Sequence, residues 1–367
     1  MSIYIHIPFC SSICTYCDFA KLYYNSKWVN SYLDSLAKEI KSIYKNEVIK
    51  TIYIGGGTPS SLNIEELNRL FEIIKEFKLD NDYEFTIECN IENIDKEKAL
   101  LFYKKGVNRI SIGVQTFNPK YLKFLGRNHT KEEVIKKIDM LKDIGFNNIN
   151  IDLMYAFPSE TLEELEEDIN EFLKLDINHI STYSLMIEPN TIIYNKRINS
   201  IEEEIDADMY KLINKKLNKY HHYEISNYAI KGYESRHNLI YWNNMEYYGF
   251  GLGASGYIDN KRYTNTRNFN KYTNGNYIDE EHILDKNEKI ENEFILGLRK
   301  IEGINKQGFK DKYNLDINKI DIIKRLINMN KLIDNGTNIY INYDMIYISN
   351  TILCEFIGEN YGEIWIL

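Results

Sequence analysis

The stretch TIYIGGGTPSSLNIEELNRLFEIIKEF, residues 51–77, carries a complete strand–turn–helix unit. Thr51–Ile54 is a β-branched, apolar run. Three glycines and Pro59 interrupt it, and residues 63–77 then return apolar side chains at i, i+3 and i+4. Outward from this unit the same order recurs. Strand-like runs stand at Ser2–Pro8, Tyr83–Glu88, Arg109–Gln115, Asn148–Tyr155 and His179–Ile187, six in all with the first, and helical spacing returns between them, as at residues 130–145. Repeated strand–helix alternation predicts a parallel sheet with right-handed crossovers. Six units predict an α/β fold, an incomplete (β/α)6 TIM-like barrel, short of the eight that close one. Four of the five prolines, Pro8, Pro59, Pro158 and Pro189, fall just past predicted strand ends, where the chain must leave the sheet. Chemistry in such folds gathers at those tips.

The remainder reads differently. A helix is predicted around Glu202–Lys219, followed by an irregular Tyr-, Asn- and Gly-rich region over residues 223–285. Residues 288–300 and 319–331 read as helices, and residues 332–349 as a hairpin around an Asn-Gly turn. Helices followed by a hairpin predict a small C-terminal winged-helix-like domain. The expected boundaries are 1–200 for the barrel, 201–285 for a connecting region and 286–367 for the C-terminal domain. From Glu288 onward twelve acidic side chains meet ten basic ones, so this element reads as a packing or partner domain, not as a DNA reader. The net charge of −9 likewise argues against a nucleic-acid partner. No secretory pattern and no run of 18 apolar residues is present, which argues against export and against a membrane span. Five cysteines, odd in number and clustered, fit reduced thiols in the cytoplasm better than a disulfide framework.

Three of those cysteines, Cys10, Cys14 and Cys17, stand in a C-x3-C-x2-C loop directly after the first strand. Thiolates are soft ligands that select iron–sulfur clusters or zinc. Structural zinc asks for four ligands, usually as two pairs, and Cys89 and Cys354 are isolated. Zinc and an unrelated set of buried thiols remain open. The preferred reading is a [4Fe–4S] cluster held at three corners, with one iron free for a small molecule. The next tip, YIGGGTPS, offers backbone that a ligand can approach closely. The other tips carry polar residues where a buried sheet prefers apolar ones: Glu88, Gln115 and Asp152, joined by Arg127. Each alone reads as a strand-end or helix-cap residue. Together, on consecutive units, they are desolvated groups that need partners.

At the cysteine loop the sequence resembles the radical S-adenosylmethionine (SAM) superfamily. The resemblance implies that the open iron chelates SAM, that the reduced cluster cleaves it to a 5′-deoxyadenosyl radical, and that the glycine run accepts hydrogen bonds from the SAM ammonium group. YIHIPFC, YCDF, GGGTPS, GVQTF, LGRNH, IDLMYAFP and YEISNYAIKGYESRHNLIYW extend it over nearly the whole chain. In these the sequence is similar to the oxygen-independent coproporphyrinogen III oxidase-like family, and within it to the haem chaperone subgroup. The resemblance implies SAM contacts at Tyr4, Tyr16, Gly56, Gly57, Thr58, Glu88, Gln115, Arg127 and Asp152.

Two features separate the branches. Oxidases carry a fourth cysteine where this chain has Phe19, and an N-terminal extension for which a first cysteine at position 10 leaves no room. Both disfavour coproporphyrinogen decarboxylation. HNLIYW, His237–Trp242, corresponds to a haem-binding motif of the chaperones, which implies His237 as an axial ligand. Without the family, a histidine between Tyr and Trp reads as a core or hydrogen-bonded residue. Lys261, Arg262 and Arg267 are candidate propionate partners, or a solvated loop. Two departures stand out: Ser255 occupies a position usually held by His, and Ala156–Thr161 replaces a Gly-Leu-Pro-x-Gln-Thr tip. The expected function is a cytoplasmic haem chaperone that holds haem, a [4Fe–4S] cluster and SAM and delivers haem to a client haem protein, with a respiratory, membrane-associated client in view. The alternative is a radical SAM enzyme acting on a tetrapyrrole. A homodimer is compatible with the sequence.

Overall fold

The computed structural model describes residues 1–359 and 361; residue 360 and residues 362–367, the end of the expected C-terminal domain, lie outside it. Six parallel strands form the centre: β1 (Ser2–Ile7), β2 (Ile49–Gly56), β3 (Leu79–Asn90), β4 (Arg109–Gln115), β5 (Ile149–Tyr155) and β6 (His179–Ser184). The helices between them start where side chains close the first turn. Asn63 with Glu66, Thr130 with Glu133 and Thr161 with Glu164 each form a reciprocal cap that satisfies otherwise orphaned N–H groups.

The region 223–285, expected to be irregular, is ordered, and that expectation is corrected. β7 (His221–Glu224) and β8 (Asn227–Ala229) add antiparallel strands beyond β6, and β9 (Tyr248–Phe250) pairs in parallel with β1. The order is β9-β1-β2-β3-β4-β5-β6-β8-β7, a nine-stranded open barrel. A separate antiparallel sheet joins Ser255–Ile258, Lys261–Asn265 and Ile278–Ile283. These strands are three to six residues long, too short to display a clean alternation. The segment docks through one buried carboxyl. Glu39, on the helix Ser26–Ile43, accepts from Gly251 N at 2.9 Å and Tyr272 Oη at 2.6 Å, and burial pushes its carboxyl up to about 7.

Toward the C-terminus, helices Lys286–Gly297, Lys306–Tyr313 and Asp321–Asn328 accompany a three-stranded sheet of Ile304–Asn305, Asn338–Ile341 and Leu332–Asp334. This is the winged-helix-like order. The hairpin expected to reach residue 349 stops at Ile341. Asn342 accepts from Asp344 N and starts a helical turn, which leads into the helix Ser349–Cys354.

The two faces of the barrel differ in kind. Outward-pointing Ile3, Ile5, Ile52, Ile54, Ile87, Ile110, Ile112 and Ile151 pack against the helices and are fully buried, each contributing about 1.5–3 kcal/mol relative to exposure. Successive strand residues point to opposite faces, so Tyr4, His6, Thr51, Tyr53, Glu84, Thr86, Glu88, Arg109, Ser111, Asn150, Asp152, His179 and Ser181 share the interior. Parallel sheets covered on both faces usually read as continuous apolar runs. Here the lumen is polar, and a hydrogen-bonded chain fills part of it. His179 Nδ1 lies 2.6 Å from Asn150 Oδ1 and its Nε2 2.8 Å from Tyr223 Oη, while Asn150 Nδ2 donates to Ser111 Oγ at 2.8 Å and to Asp152 Oδ1 at 2.9 Å.

Candidate functional site

The tips of β1 to β6 surround a cavity of about 420 Å3, within the range of small-molecule sites. Its wall includes Cys10, Cys14, Tyr16, Cys17, Gly56, Gly57, Thr58, Glu88, Gln115, Arg127 and Asp152. These are eleven of the thirteen candidate residues; Tyr4 and His237 stand elsewhere.

The cysteine loop is anchored at both ends. Phe9–Cys10 pairs with Leu22–Tyr23, so the chain leaves and rejoins a small parallel ladder around the three thiols. Within the loop Thr15 N donates to Leu125 O at 3.1 Å, and Lys21 Nζ donates to the Cys17 carbonyl. His6 fastens the exit: its Nε2 lies 2.7 Å from Ala20 O and its Nδ1 3.0 Å from Tyr4 Oη. Tyr4 therefore lies below the cavity, occupied with His6. All five cysteines are free. Burial raises the Cys10 thiol to about 11, against which Thr58 Oγ1 donates to its sulfur at 3.5 Å. Among the described residues no three His, Cys, Asp or Glu side chains converge as a site for a single ion. A cubane makes a different demand, one thiolate per iron at three separate corners. The donor set and its place on one wall fit that demand.

The glycine tip is shaped by its neighbours. Gly56 has φ +110°, and a Cβ there would overlap the His6 ring. A Cβ on Gly55 would stand 2.7 Å from the Glu88 carboxyl carbon. Glu88 accepts from Tyr53 Oη at 2.8 Å and from Gly56 N at 3.0 Å. Burial pushes its carboxyl up to about 7, with the nearby Asp152 adding to the rise. Asp152 is raised as well, chiefly by burial, although Asn150 and Ser181 bond to it.

Opposite stands Arg127. Gly126, left-handed at φ 76°, ends the helix Pro119–Leu125 and turns Arg127 inward. Its Nε and Nη1 are buried and find no hydrogen-bond acceptor, although Nη1 makes an ion pair with Glu92 Oε2 at 3.8 Å. Burial opposes the charge on Glu92, but His129 and Arg127 outweigh it and hold the carboxyl down at about 2. Orphaned guanidinium N–H groups facing two buried carboxyls are costly alone. A ligand with both an ammonium and a carboxylate satisfies both walls, which fits the amino-acid end of SAM. Gln115 completes this side in an unusual backbone state, φ +74°, where the β4–β5 register slips. Non-glycine residues there cost about 1–3 kcal/mol and cluster at functional sites.

Several wall residues were not singled out from sequence. Asn90 donates to Thr58 Oγ1 at 3.1 Å. Ser111 and Tyr183 face the cavity from β4 and β6, and Phe19 and Met186 form its lip, 62% and 66% exposed. The signal for the strand residues was the polar half of each alternating strand. For Met186 there was none, because residues 185–187 were read as strand, and Phe19 was marked only as the residue in the fourth-cysteine position.

His237 lies on the helix Arg236–Trp242, 1% exposed, against the start of β2 and β3. Its Nδ1 is 2.7 Å from Thr51 Oγ1 and its Nε2 2.7 Å from Tyr241 Oη, and its ring lies 5.2 Å from that of Tyr53. Burial, and then Arg109, lower the imidazole to about 3. The haem-ligand expectation thus meets a histidine whose two nitrogens are both engaged. Of the candidate propionate partners, Lys261 and Arg262 sit on the separate sheet, where Lys261 pairs with Glu281 at 2.9 Å and Arg262 covers the Tyr257 ring, while Arg267 lies past its strand, before the helix Phe269–Thr273. Ser255 is exposed there.

Residues 4–172 match the family described as the radical SAM superfamily. The chain is similar to the heme chaperone HemW of Lactococcus lactis, 40% identical with 98% of each chain covered, and to that of Bacillus subtilis, 39% identical over 98% of this chain and 99% of the relative. The heme chaperone HemW of Escherichia coli is 34% identical over 79% of this chain and 80% of its own length. Among solved structures, coproporphyrinogen III oxidase (HemN) from Escherichia coli, described as a radical SAM enzyme, shares the fold at TM-score 0.85 and 20% identity, covering 97% of this chain and 89% of that one.

Proposed function

Because the chain belongs to the HemW haem chaperone family within the radical SAM superfamily, we propose that it binds haem, a [4Fe–4S] cluster and SAM and delivers the haem to a client haem protein. The observation that carries the two resident groups is the convergence of eleven candidate residues on one cavity. Cys10, Cys14 and Cys17 would hold three irons. Arg127 would bind the SAM carboxylate, Gly56 and Gly57 together with the Glu88 and Asp152 carboxyls its ammonium group, and Gln115 its remaining polar edge; Tyr16 backs Arg127 and Thr58 backs Cys10. Bound there, a cluster would supply one-electron reducing chemistry toward SAM, with these residues holding and orienting both groups.

The division into a barrel over 1–200, a haem-motif segment over 201–285 and a winged-helix-like domain over 286–367 belongs to the same proposal. So do a cytoplasmic location and a respiratory, membrane-bound client; five free thiols fit a reducing compartment. Among the described residues no helix is long and apolar enough to cross a membrane. A homodimer is left to hydrodynamic measurement.

Anaerobic reconstitution followed by hemin titration tests the reading. The expected outcome is about four iron and four sulfide per chain and a saturable Soret shift that weakens in His237→Ala. Absence of saturable binding removes the chaperone reading. The alternative, an enzyme acting on a tetrapyrrole, draws on the eight of nine candidate SAM residues that line the cavity. Consumption of coproporphyrinogen would establish it, against the exposed Phe19 in the fourth cysteine position.

A further inference from the structure

An iron ligand must offer a nitrogen lone pair with open space beyond it, because the metal sits at the centre of a wide macrocycle. His237 offers neither. Whichever tautomer it adopts, one ring nitrogen donates and the other accepts, and hydroxyls at 2.7 Å occupy both. The helix that carries it is clamped as well. Glu84 accepts from His237 N at 2.9 Å and from Arg236 N at 3.0 Å, so one carboxylate holds both leading amides of the helix. Arg236 Nη1 pairs with Asp82 Oδ1 at 3.2 Å, and Tyr223 Oη accepts from Ser235 N at 3.2 Å. Thr51 and Glu84 face each other across β2 and β3, so two adjacent strands grip the first turn.

Resting on the reading of His237 as the haem ligand, we propose that the helix Arg236–Trp242 is a latch, and that haem binds only when its first turn lifts off Thr51 and Glu84. In the latched state the motif is part of the barrel wall. In the released state the imidazole is bare. Apparent haem affinity is then the intrinsic affinity multiplied by the released fraction. Residues that never touch haem would set how tightly the protein takes it up and how readily it gives it back. A client that favours the latched state would promote transfer, because a partner shifts an equilibrium only through differential affinity for the two states.

The reading makes an unusual demand: removing contacts should improve binding. Thr51→Val preserves shape and deletes the hydroxyl at Nδ1. Glu84→Gln preserves shape and weakens one of the two amide contacts, since its NH2 cannot accept. Each removes about one hydrogen bond from the latched state, so hemin should bind roughly fivefold tighter in each variant. Soret titration of the full reconstituted chain reads this, with His237→Ala in parallel. Hydrogen exchange over residues 236–242 provides a second readout, and hemin should accelerate it in the wild-type protein.

If both variants bind hemin at wild-type strength or more weakly while His237→Ala loses binding, the latch is wrong and the ligand assignment stands. If His237→Ala binds as well as wild type, the ligand assignment falls and the latch falls with it. Exchange over 236–242 that slows on adding hemin also overturns the latch. Tighter binding in Thr51→Val and Glu84→Gln together with faster exchange supports it.

Discussion

Replacing Gly56 by alanine asks how the floor of the cavity is held. The residue sits at φ +110°, with the His6 ring where a Cβ would go. A left-handed alanine costs about 1 kcal/mol or somewhat more. The ring cannot yield cheaply, because it is tied to Tyr4 Oη at 3.0 Å and Ala20 O at 2.7 Å. Displacing it forfeits two hydrogen bonds of about 1 kcal/mol each, and overpacking adds about 1–3 kcal/mol. The total comes to about 5 kcal/mol. Gly275 provides the control, with φ +87° and nothing within 4 Å of an added Cβ, so Gly275→Ala carries the backbone cost alone. Anaerobic urea denaturation of the two apo-variants should separate them by about 4 kcal/mol. Gly56→Ala should also reconstitute poorly, because Ala20 stands three residues past Cys17. Variants of equal stability would refute the argument, as would wild-type iron content in Gly56→Ala.

Two further outcomes follow from the same wall. Serine at Cys10, Cys14 or Cys17 should abolish iron and sulfide incorporation, while Cys354→Ser, at an exposed thiol, should leave both unchanged; metal analysis after reconstitution checks this. Glu88 titrates near 7 in the folded chain, raised from 4.5 by burial, so between those values the native state holds a proton that the unfolded state has released. Stability of the apo-protein should therefore fall relative to Glu88→Gln as pH rises from about 4.5 to about 7, by on the order of 3 kcal/mol. A difference that stays flat across that window would contradict the burial argument.

The parallel core was legible because its cues are local. TIYIGGGTPS announces a strand and its end, and 63–77 announces a helix, without reference to anything distant. The cysteine loop was legible for the same reason. β7, β8 and β9 were not: they are three or four residues each, β8 and β9 exist by pairing with β6 and β1, far away in sequence, β7 only adds to β8 as the edge, and their residues show no period. The polar lumen was half legible. Glu88, Gln115 and Asp152 stood out at strand ends, whereas Glu84, Thr86, Arg109, Asn150 and His179 lay deeper along the same strands and passed unremarked. YEFTIECN alternates in plain sight, and in a sheet covered on both faces such alternation marks a wet interior, not a solvent-exposed one. For His237 the unaided reading, a hydrogen-bonded core residue, describes its surroundings, while the motif suggests a role that those surroundings do not yet permit.

Gln115 sits where the backbone would be easier with no side chain at all. A glycine would relieve that conformation and let β4 end at lower cost, so thermodynamics and the cavity pull this position in opposite directions. The chain keeps the amide. The residue takes this conformation buried at the cavity wall, so the strand tip gives up part of its own stability to present a hydrogen-bonding group there.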